Sequence, residues 1–254
     1  MVRCETYELF ADYHTHTHHS HGVDSVKENV RAAAEKGLSA VAISDHGPAS
    51  LFGVGVASLD TFDTIRKEVD AVREAYPDLD VLLGVEANIV SITGELDVPP
   101  SWQDRFDIVL VGLHPLVRWD PVIEGARLIG LNAGGRWIGR WTEEARRLNT
   151  RAVVNAVRRN RVHIVTHPGY RLSIDTRELA RACAETGCAM EISASHDHTS
   201  VEYIQIAQSE GAKFALGSDA HSKERVGDLA KAAALAHRAG LTSEAIVNAR
   251  QFPV

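Results

Sequence analysis

The sequence predicts an α/β fold, a distorted seven-stranded (βα)7 barrel of TIM type, and three observations predict it. Short apolar runs alternate with longer helical patterns along all 254 residues, the signature of βαβ units and a parallel sheet. Those runs are four to eight residues long, β-branched or aliphatic, as expected of strands covered by helices on their outer face. Imidazoles and carboxylates then gather where the runs end, and the C-terminal mouth is where such barrels keep their sites. Seven strands stand one short of the usual eight, so an open doubly wound sheet is the competing architecture.

The elements follow in order. The first strand is read at about 9–14. Ser25 and Glu28 form a capping box that opens a helix over 25–36, and Gly37 stops it. A strand at 39–44, a helix at 60–75, and strands at 80–86 and 106–113 come next. The rhythm breaks over 115–141, which carries Trp119, Trp137, Trp141, the Gly134-Gly135 pair and arginines 118, 127, 136 and 140. An insertion of this length after a strand end reads as a lid or binding loop. A helix at 142–160 and a strand at 162–167 restore the pattern. Asp175 and Gly187 bracket a helix at 175–186. A strand at 188–192, a helix at 199–210 capped by Thr199 or Ser200, a strand at 213–218 and helices at 224–239 and 243–250 complete it. With 44% hydrophobic residues, the chain can bury one core as a single domain over 1–254.

Charge narrows the partners. The formal net charge is −7, which makes no case for double-stranded nucleic acid. The excess is uneven, because ten arginines between Arg118 and Arg161 face only Asp120, Glu124, Glu143 and Glu144, leaving +6 there and −13 elsewhere. Such a stretch suits a small anionic substrate, or else is a solvated helix face. Cys4, Cys183 and Cys188 are poorly spaced for disulfides or a zinc knuckle, and the last two read as buried small hydrophobes. No apolar leader opens the sequence and no run approaches ~18 apolar residues. The expectation is a soluble, cytoplasmic protein without a membrane partner; its oligomeric state stays open.

The chemistry lies at six strand ends. Asp12-Tyr13-His14-Thr15-His16 closes the first, with His21 soon after, and Ser44-Asp45-His46 closes the second. Gly84-Val85-Glu86-Ala87-Asn88 ends the third, Gly112-Leu113-His114-Pro115 the fourth and Thr166-His167-Pro168-Gly169 the fifth. Gly217-Ser218-Asp219-Ala220-His221 ends the last. Residues two apart on a strand point the same way, so His14 with His16 can chelate one ion. A carboxylate such as Glu86 after an apolar strand is costly to bury without a cation, and it can bridge two.

These nine donors are nitrogen and oxygen, with no thiolate. That set suits zinc, manganese or iron rather than magnesium or calcium. At three to four protein ligands per catalytic ion, nine residues with one bridging serve three divalent transition-metal ions. His18 and His19 are second to these, as loop residues or supports. His163 and His237 read as structural. His196 and His198 follow the sixth strand and face the same mouth, where His196 is a candidate to contact substrate or donate a proton.

The motifs resemble the PHP superfamily, named for its polymerase and histidinol phosphatase members, from Asp12-Tyr13-His14-Thr15-His16-Thr17 to Gly217-Ser218-Asp219-Ala220-His221. The resemblance implies a distorted (βα)7 barrel with a trinuclear centre. His14, His16, Glu86 and Asp219 would hold one ion, Glu86 would bridge to a second held by His114 and His167, and His21, His46 and His221 would hold the third. The Ser-His-Gly run at His21 is similar to the stand-alone phosphoesterase branch, and 254 residues leave no room for a polymerase core.

The implied activity is hydrolysis of a phosphomonoester by a metal-activated hydroxide, since bound cations acidify water and neutralise the leaving oxygen. Catalytic roles fall to Glu86, Asp219, Arg171 and His196. Arg171, four residues past His167, is the candidate phosphate fork, unless it pairs with Asp175. Two rivals stand beside this reading. An amidohydrolase-type C–N hydrolase often needs a carboxylated lysine at a strand end, and lysines 27, 36, 67, 213, 223 and 231 offer none at the mouth. A metal-stabilised binding module without turnover is the other.

Overall fold

The computed structural model describes residues 2–3, 7–135 and 139–251; Cys4, Arg136 and Trp137 lie outside the described residues. Two short strands, β1 (Val2–Arg3) and β2 (Glu8–Leu9), come first, and β3 (Ala11–Asp12), α1 (Val26–Glu35), β4 (Ala40–Ile43), α2 (Thr61–Ala75) and β5 (Asp80–Asn88) follow. Next are α3 (Pro100–Gln103), β6 (Ile108–Gly112), α4 (Val122–Gly134), α5 (Gly139–Arg159), β7 (Ile164–Val165) and α6 (Thr176–Thr186). The chain continues through β8 (Ala189–Ser193), α7 (Val201–Ser209), β9 (Lys213–Gly217), α8 (Ala230–Arg238), a 3-10 turn at Ser243–Ala245 and β10 (Ala249–Arg250).

The seven strands β3 to β9 pair in sequence order, every pair parallel. Beyond the last strand the sheet comes back to the first. Thr15 bridges Ala220, His16 N–H donates to the Ala220 carbonyl at 2.8 Å and Ala220 N–H to that of His14 at 3.1 Å. The result is the distorted (βα)7 barrel. Its seam lies in the two segments richest in metal-type donors.

Period-two alternation sorts the side chains. Val41, Ile43, Val81, Leu83, Val85, Val109 and Val111 face outward and pack under the helices. Inside the barrel, Ala42, Ile108, Leu110, Ile164, Ala189 and Ala215 form an apolar floor with Tyr13 and Leu82. One layer up, the same alternation turns Glu86 and Glu191 inward, both buried. Glycines make room for them. A Cβ on Gly217 would sit 2.0 Å from Glu191 Oε1, and one on Gly112 would sit 2.3 Å from the His114 ring.

Local signals held at several termini. Ser25 Oγ accepts from Glu28 N–H at 3.3 Å while Glu28 Oε2 accepts from Ser25 N–H at 3.1 Å, so the capping box forms. Gly37 follows that helix at φ +73°. Asp175 caps α6, Gly187 ends it at φ +77°, and Ser200 caps α7.

Other expectations need correction. The strand read at 9–14 is broken at Phe10: Glu8–Leu9 belongs to a separate three-stranded antiparallel sheet with β1 and β10. The helix read at 243–250 is only a 3-10 turn followed by β10, and the helix read from 224 begins at Ala230. The segment 115–141, read as a lid or binding loop, is largely helical. It contains α4 and the start of α5, anchored by Trp119, Leu128 and Leu148 against Ala49, Ile92 and Val117.

The arginines of the basic stretch 118–161 are mostly occupied elsewhere. Arg127 and Arg147 pair with Glu144, Arg146 with Glu143 and Asp175, and Arg158 with Glu185. Arg118 donates to the Pro48 carbonyl and Arg161 to those of Gln103 and Phe106. The basic excess is chiefly i,i+3 pairing along α5 and its contacts with neighbours, the solvated-face reading, and not an anion funnel.

Candidate metal centre

The strand ends deliver their donors to one buried cluster. Glu86 is fully buried at its centre. Its Oε2 lies 3.3 Å from His14 Nε2, 3.6 Å from His16 Nε2 and 3.0 Å from His46 Nδ1. Its Oε1 lies 3.3 Å from His114 Nε2 and 3.1 Å from His167 Nε2, and it accepts the Thr166 hydroxyl at 2.6 Å. Asp219 Oδ1 lies 3.5 Å from His14 Nε2 and 3.3 Å from His16 Nε2. On the far side of His16 its ring stacks with His46 at 4.7 Å, and His21 meets His221 nitrogen to nitrogen.

The cluster fits a metal. His14 Nε2, both ring nitrogens of His16, His46 Nδ1 and Glu86 Oε2 are buried with no hydrogen-bond partner among the described residues. Orphaned polar atoms in one place are costly. Ligand bonds of about 2.0–2.1 Å set tetrahedral edges of roughly 3.3–3.4 Å, and the His14–Glu86–Asp219–His16 separations fall around that length. Ligand-sized groups form at His14/His16/Glu86, His46/Glu86/His114, His16/His21/His46, His16/Asp219/His221 and His167/His196/Asp219.

Neighbouring groups fix which ring nitrogen faces inward. His14 Nδ1–H donates to Glu191 Oε1 at 2.7 Å, which turns Nε2 toward Glu86 and Asp219. The other oxygen of Glu191 accepts the His167 backbone N–H at 2.7 Å, so one carboxylate sets two strand ends. His114 Nδ1–H donates to Asn88 Oδ1 at 2.8 Å, and the Asn88 amide donates to Asp97 at 2.6 Å. His221 Nδ1–H donates to the Asp219 carbonyl at 2.9 Å. Partners that can only accept force the proton onto Nδ1 and point the free lone pair inward, the usual outer support of metal-binding imidazoles.

Electrostatics follow the same division. Burial pushes His46 well down, and the rings of His16, His114 and His21 outweigh part of the pull from Glu86. Burial and the neighbouring His16 and His221 bring His21 to about 4. These rings are neutral at pH 7, the form that binds a metal. Burial opposes charge on Glu86 and Asp219, but the surrounding imidazoles hold both carboxyls well below the usual range. His14 is buried too, yet Glu191, Glu86 and Asp219 push it up overall.

A family model described as the PHP domain matches residues 12–237. The chain belongs to the PHP domain family. This PHP domain is similar to relatives named "probable phosphatase": one from Thermoanaerobacter sp. (strain X514) is 31% identical over 251 residues, covering 95% of this chain and 91% of its own. Another, from Proteus mirabilis (strain HI4320), is 31% identical over 227 residues, covering 85% of this chain and 80% of its own. Among solved structures, histidinol phosphate phosphatase of Lactococcus lactis, determined with zinc, L-histidinol and phosphate, superposes with a TM-score of 0.60. It covers 91% of this chain and 94% of its own at 17% identity, a likeness of fold.

All nine donors named from this PHP domain's sequence therefore meet at one mouth. A cavity of about 270 Å³ opens onto them, lined also by Ser50, Val54, Leu113, Pro115, Leu116, Tyr170, Arg171 and His196. Arg171 does not pair with Asp175, which Arg146 takes. It is exposed, and its guanidinium lies 4.9 Å from the Tyr170 ring. His196 stacks on Tyr170 at 3.8 Å and sits 2.9 Å from Asp219 Oδ2, closer to the cluster than a substrate-only role requires. His198 bonds the Pro168 carbonyl, His163 accepts from Val109 N–H at the opposite end, and His19 pairs with Glu68.

Sequence reasoning missed Glu191, Asp97 and Asp45. Asp45 accepts from Thr17 N–H at 2.7 Å, from the Thr17 hydroxyl and from Ser20, folding the turn that carries His21. Glu191 had a visible signal, a charge inside the apolar strand Ala189-Met190-Glu191-Ile192-Ser193. His167, Arg171 and Asp219 share a further trait that no motif reveals. All three hold left-handed backbone, at φ +28°, +59° and +50°, a strained state that clusters at functional positions.

Proposed function

We propose that this protein hydrolyses phosphomonoesters from a trinuclear centre. The broader statement, a metal-dependent phosphoesterase of the PHP family and hence a hydrolase, rests on the family match and the phosphatase relatives. One observation carries the finer reading: eight buried or half-buried nitrogen and oxygen donors gather around the Glu86 carboxylate, whose two oxygens face two different sets of imidazoles. His14, His16, Glu86 and Asp219 would hold one divalent ion, Glu86 with His114 and His167 a second, and His21, His46 and His221 a third. Zinc, manganese or iron fit these donors.

Ions bound there would lower the pKa of water toward neutrality and draw charge from the phosphate oxygens. This chain's own residues prepare that chemistry. Glu191, Asn88 and the Asp219 carbonyl lock three rings in one tautomer. Arg171, which lines the cavity and has no ion pair among the described residues, would fork a phosphate, and Tyr170 supports both Arg171 and His196. No described lysine lines the cavity, which weakens the amidohydrolase alternative, and a substrate-sized opening beside the donors weakens a purely structural role.

The test is turnover. Protein reconstituted with Zn²⁺ or Mn²⁺ is expected to release phosphate from small monoesters, to be silenced by chelator, and to leave amide and lactone substrates intact. Hydrolysis of the amides instead would replace this reading.

A further inference from the structure

Two loops at the mouth form an apolar flap beside the metal-type donors. Ser50 and Val117 are paired antiparallel, Leu51 N–H donates to the Leu116 carbonyl at 3.0 Å, and Arg118 N–H donates to that of Ala49 at 2.9 Å. Arg118's guanidinium is turned back onto Pro48, and the base of the flap packs on Trp119 and Leu128. The flap is therefore braced, and its tip is hydrophobic. Leu116 is 57% exposed and lines the cavity with Val54, while Phe52 is 85% exposed. Phe52 also holds φ +59°, an unfavourable state for a bulky residue. Phe52 is thus a strained, solvent-facing aromatic on the flap, two residues from each of the lining residues Ser50 and Val54.

The rest of the lining lacks what polar alcohols need. Among the described lining residues the one carboxylate is Asp219, already among the imidazoles, so an ammonium on the substrate would find no further counter-charge in the lining and would share the mouth with Arg171. The Ser50 hydroxyl donates to Asn88 Oδ1 at 3.1 Å, which leaves its oxygen as an acceptor only, beside the Tyr170 phenol, to serve any sugar hydroxyl. At about 270 Å³ the cavity stands at the small end of the ~300–1,000 Å³ usual for ligands.

We infer that the alcohol half of the substrate is a small, uncharged, apolar group packed against the Leu116–Phe52 flap while Arg171 receives the phosphate. This rests on the phosphomonoesterase reading and adds the substrate class to it.

Three monoesters of primary alcohols, comparable as leaving groups, test it on the metal-reconstituted full chain: 2-phenylethyl phosphate, 2-aminoethyl phosphate and glycerol 1-phosphate. The expected kcat/KM for the phenylethyl ester exceeds the other two by about tenfold or more, the scale on which apolar pockets discriminate. Leu116→Glu, at an exposed position, is expected to lower the phenylethyl value and to raise the aminoethyl value roughly two- to fivefold, as an exposed ion pair allows. Phe52→Gly, which relieves the backbone strain, is expected to raise KM for the phenylethyl ester most. Equal kcat/KM for the three, or a preference for the aminoethyl ester, overturns this inference and leaves the phosphatase reading standing. Hydrolysis of none overturns both.

Discussion

The barrel has two open ends, and they differ in a way that separates a site from a hole. The N-terminal end holds the larger cavity, about 660 Å³, lined by Tyr13, Leu82, Asp107, Arg158, Arg161 and His163 among others. Its polar groups are satisfied: Asp107 takes Arg66 and Arg73, Arg158 takes Glu185, and His163 accepts from Val109 N–H at 2.9 Å. The C-terminal end holds about 270 Å³, yet its floor holds buried nitrogens and oxygens with no hydrogen-bond partner among the described residues. Volume does not mark function here. Unsatisfied ligand atoms on rings oriented by outer acceptors do, because such an arrangement is unfavourable unless a cation completes it.

The largest break in that contrast is expected from Glu86→Gln. It keeps the volume but removes the charge facing five imidazoles, so metal content and turnover should fall by more than about 100-fold, beyond what a merely supporting residue gives. Retained metal with wild-type activity would dissolve the shared centre. Glu191→Gln comes next. One of its two acceptor oxygens is lost, His14 and the His167 backbone compete for the other, and metal affinity or activity is expected to drop about 10- to 100-fold. Isothermal titration with Zn²⁺ against kcat measures both, and an unchanged affinity would make Glu191 a packing residue only.

Arg171→Ala should leave metal content intact and lower kcat/KM roughly 10- to 150-fold, from about 1.5–3 kcal/mol for a charged hydrogen bond. A silent variant would send the phosphate fork to Arg118 or Arg140. The smallest functional effect is expected at the other end. His163→Ala removes the acceptor for Val109 N–H, costing about 1–3 kcal/mol by denaturant unfolding, with kcat/KM unchanged. Loss of metal along with that stability would erase the distinction between the two mouths.

The contrast also explains what could be read in advance. Alternating β and α patterns and the placement of His14, Glu86, His114, His167 and Asp219 were legible because strand periodicity and the C-terminal rule convert directly into a shared mouth. The antiparallel sheet of β1, β2 and β10 was not, since two-residue strands carry no period. Nor was α4. Glycines and tryptophans broke the rhythm over 115–141 and gave no helix there, whereas burial of Trp119 against Gly125 and Leu128 makes a helix worthwhile. The arginine excess left two readings open for a related reason, because composition records charge but not its partner; Glu143, Glu144, Asp175 and Glu185 pair four of its ten arginines, Arg127, Arg146, Arg147 and Arg158. Arg171 showed the converse. Its expected partner Asp175 is taken by Arg146, and this leaves a free guanidinium at the mouth.

The central claim, that the C-terminal mouth is incomplete without cations, is tested most directly by elemental analysis of protein purified without chelator. The account predicts two to three equivalents of zinc, manganese or iron per chain, lost with phosphatase activity on dialysis against chelator and restored together. A folded preparation that contains no transition metal, and that added Zn²⁺ or Mn²⁺ neither binds to nor activates, would contradict it.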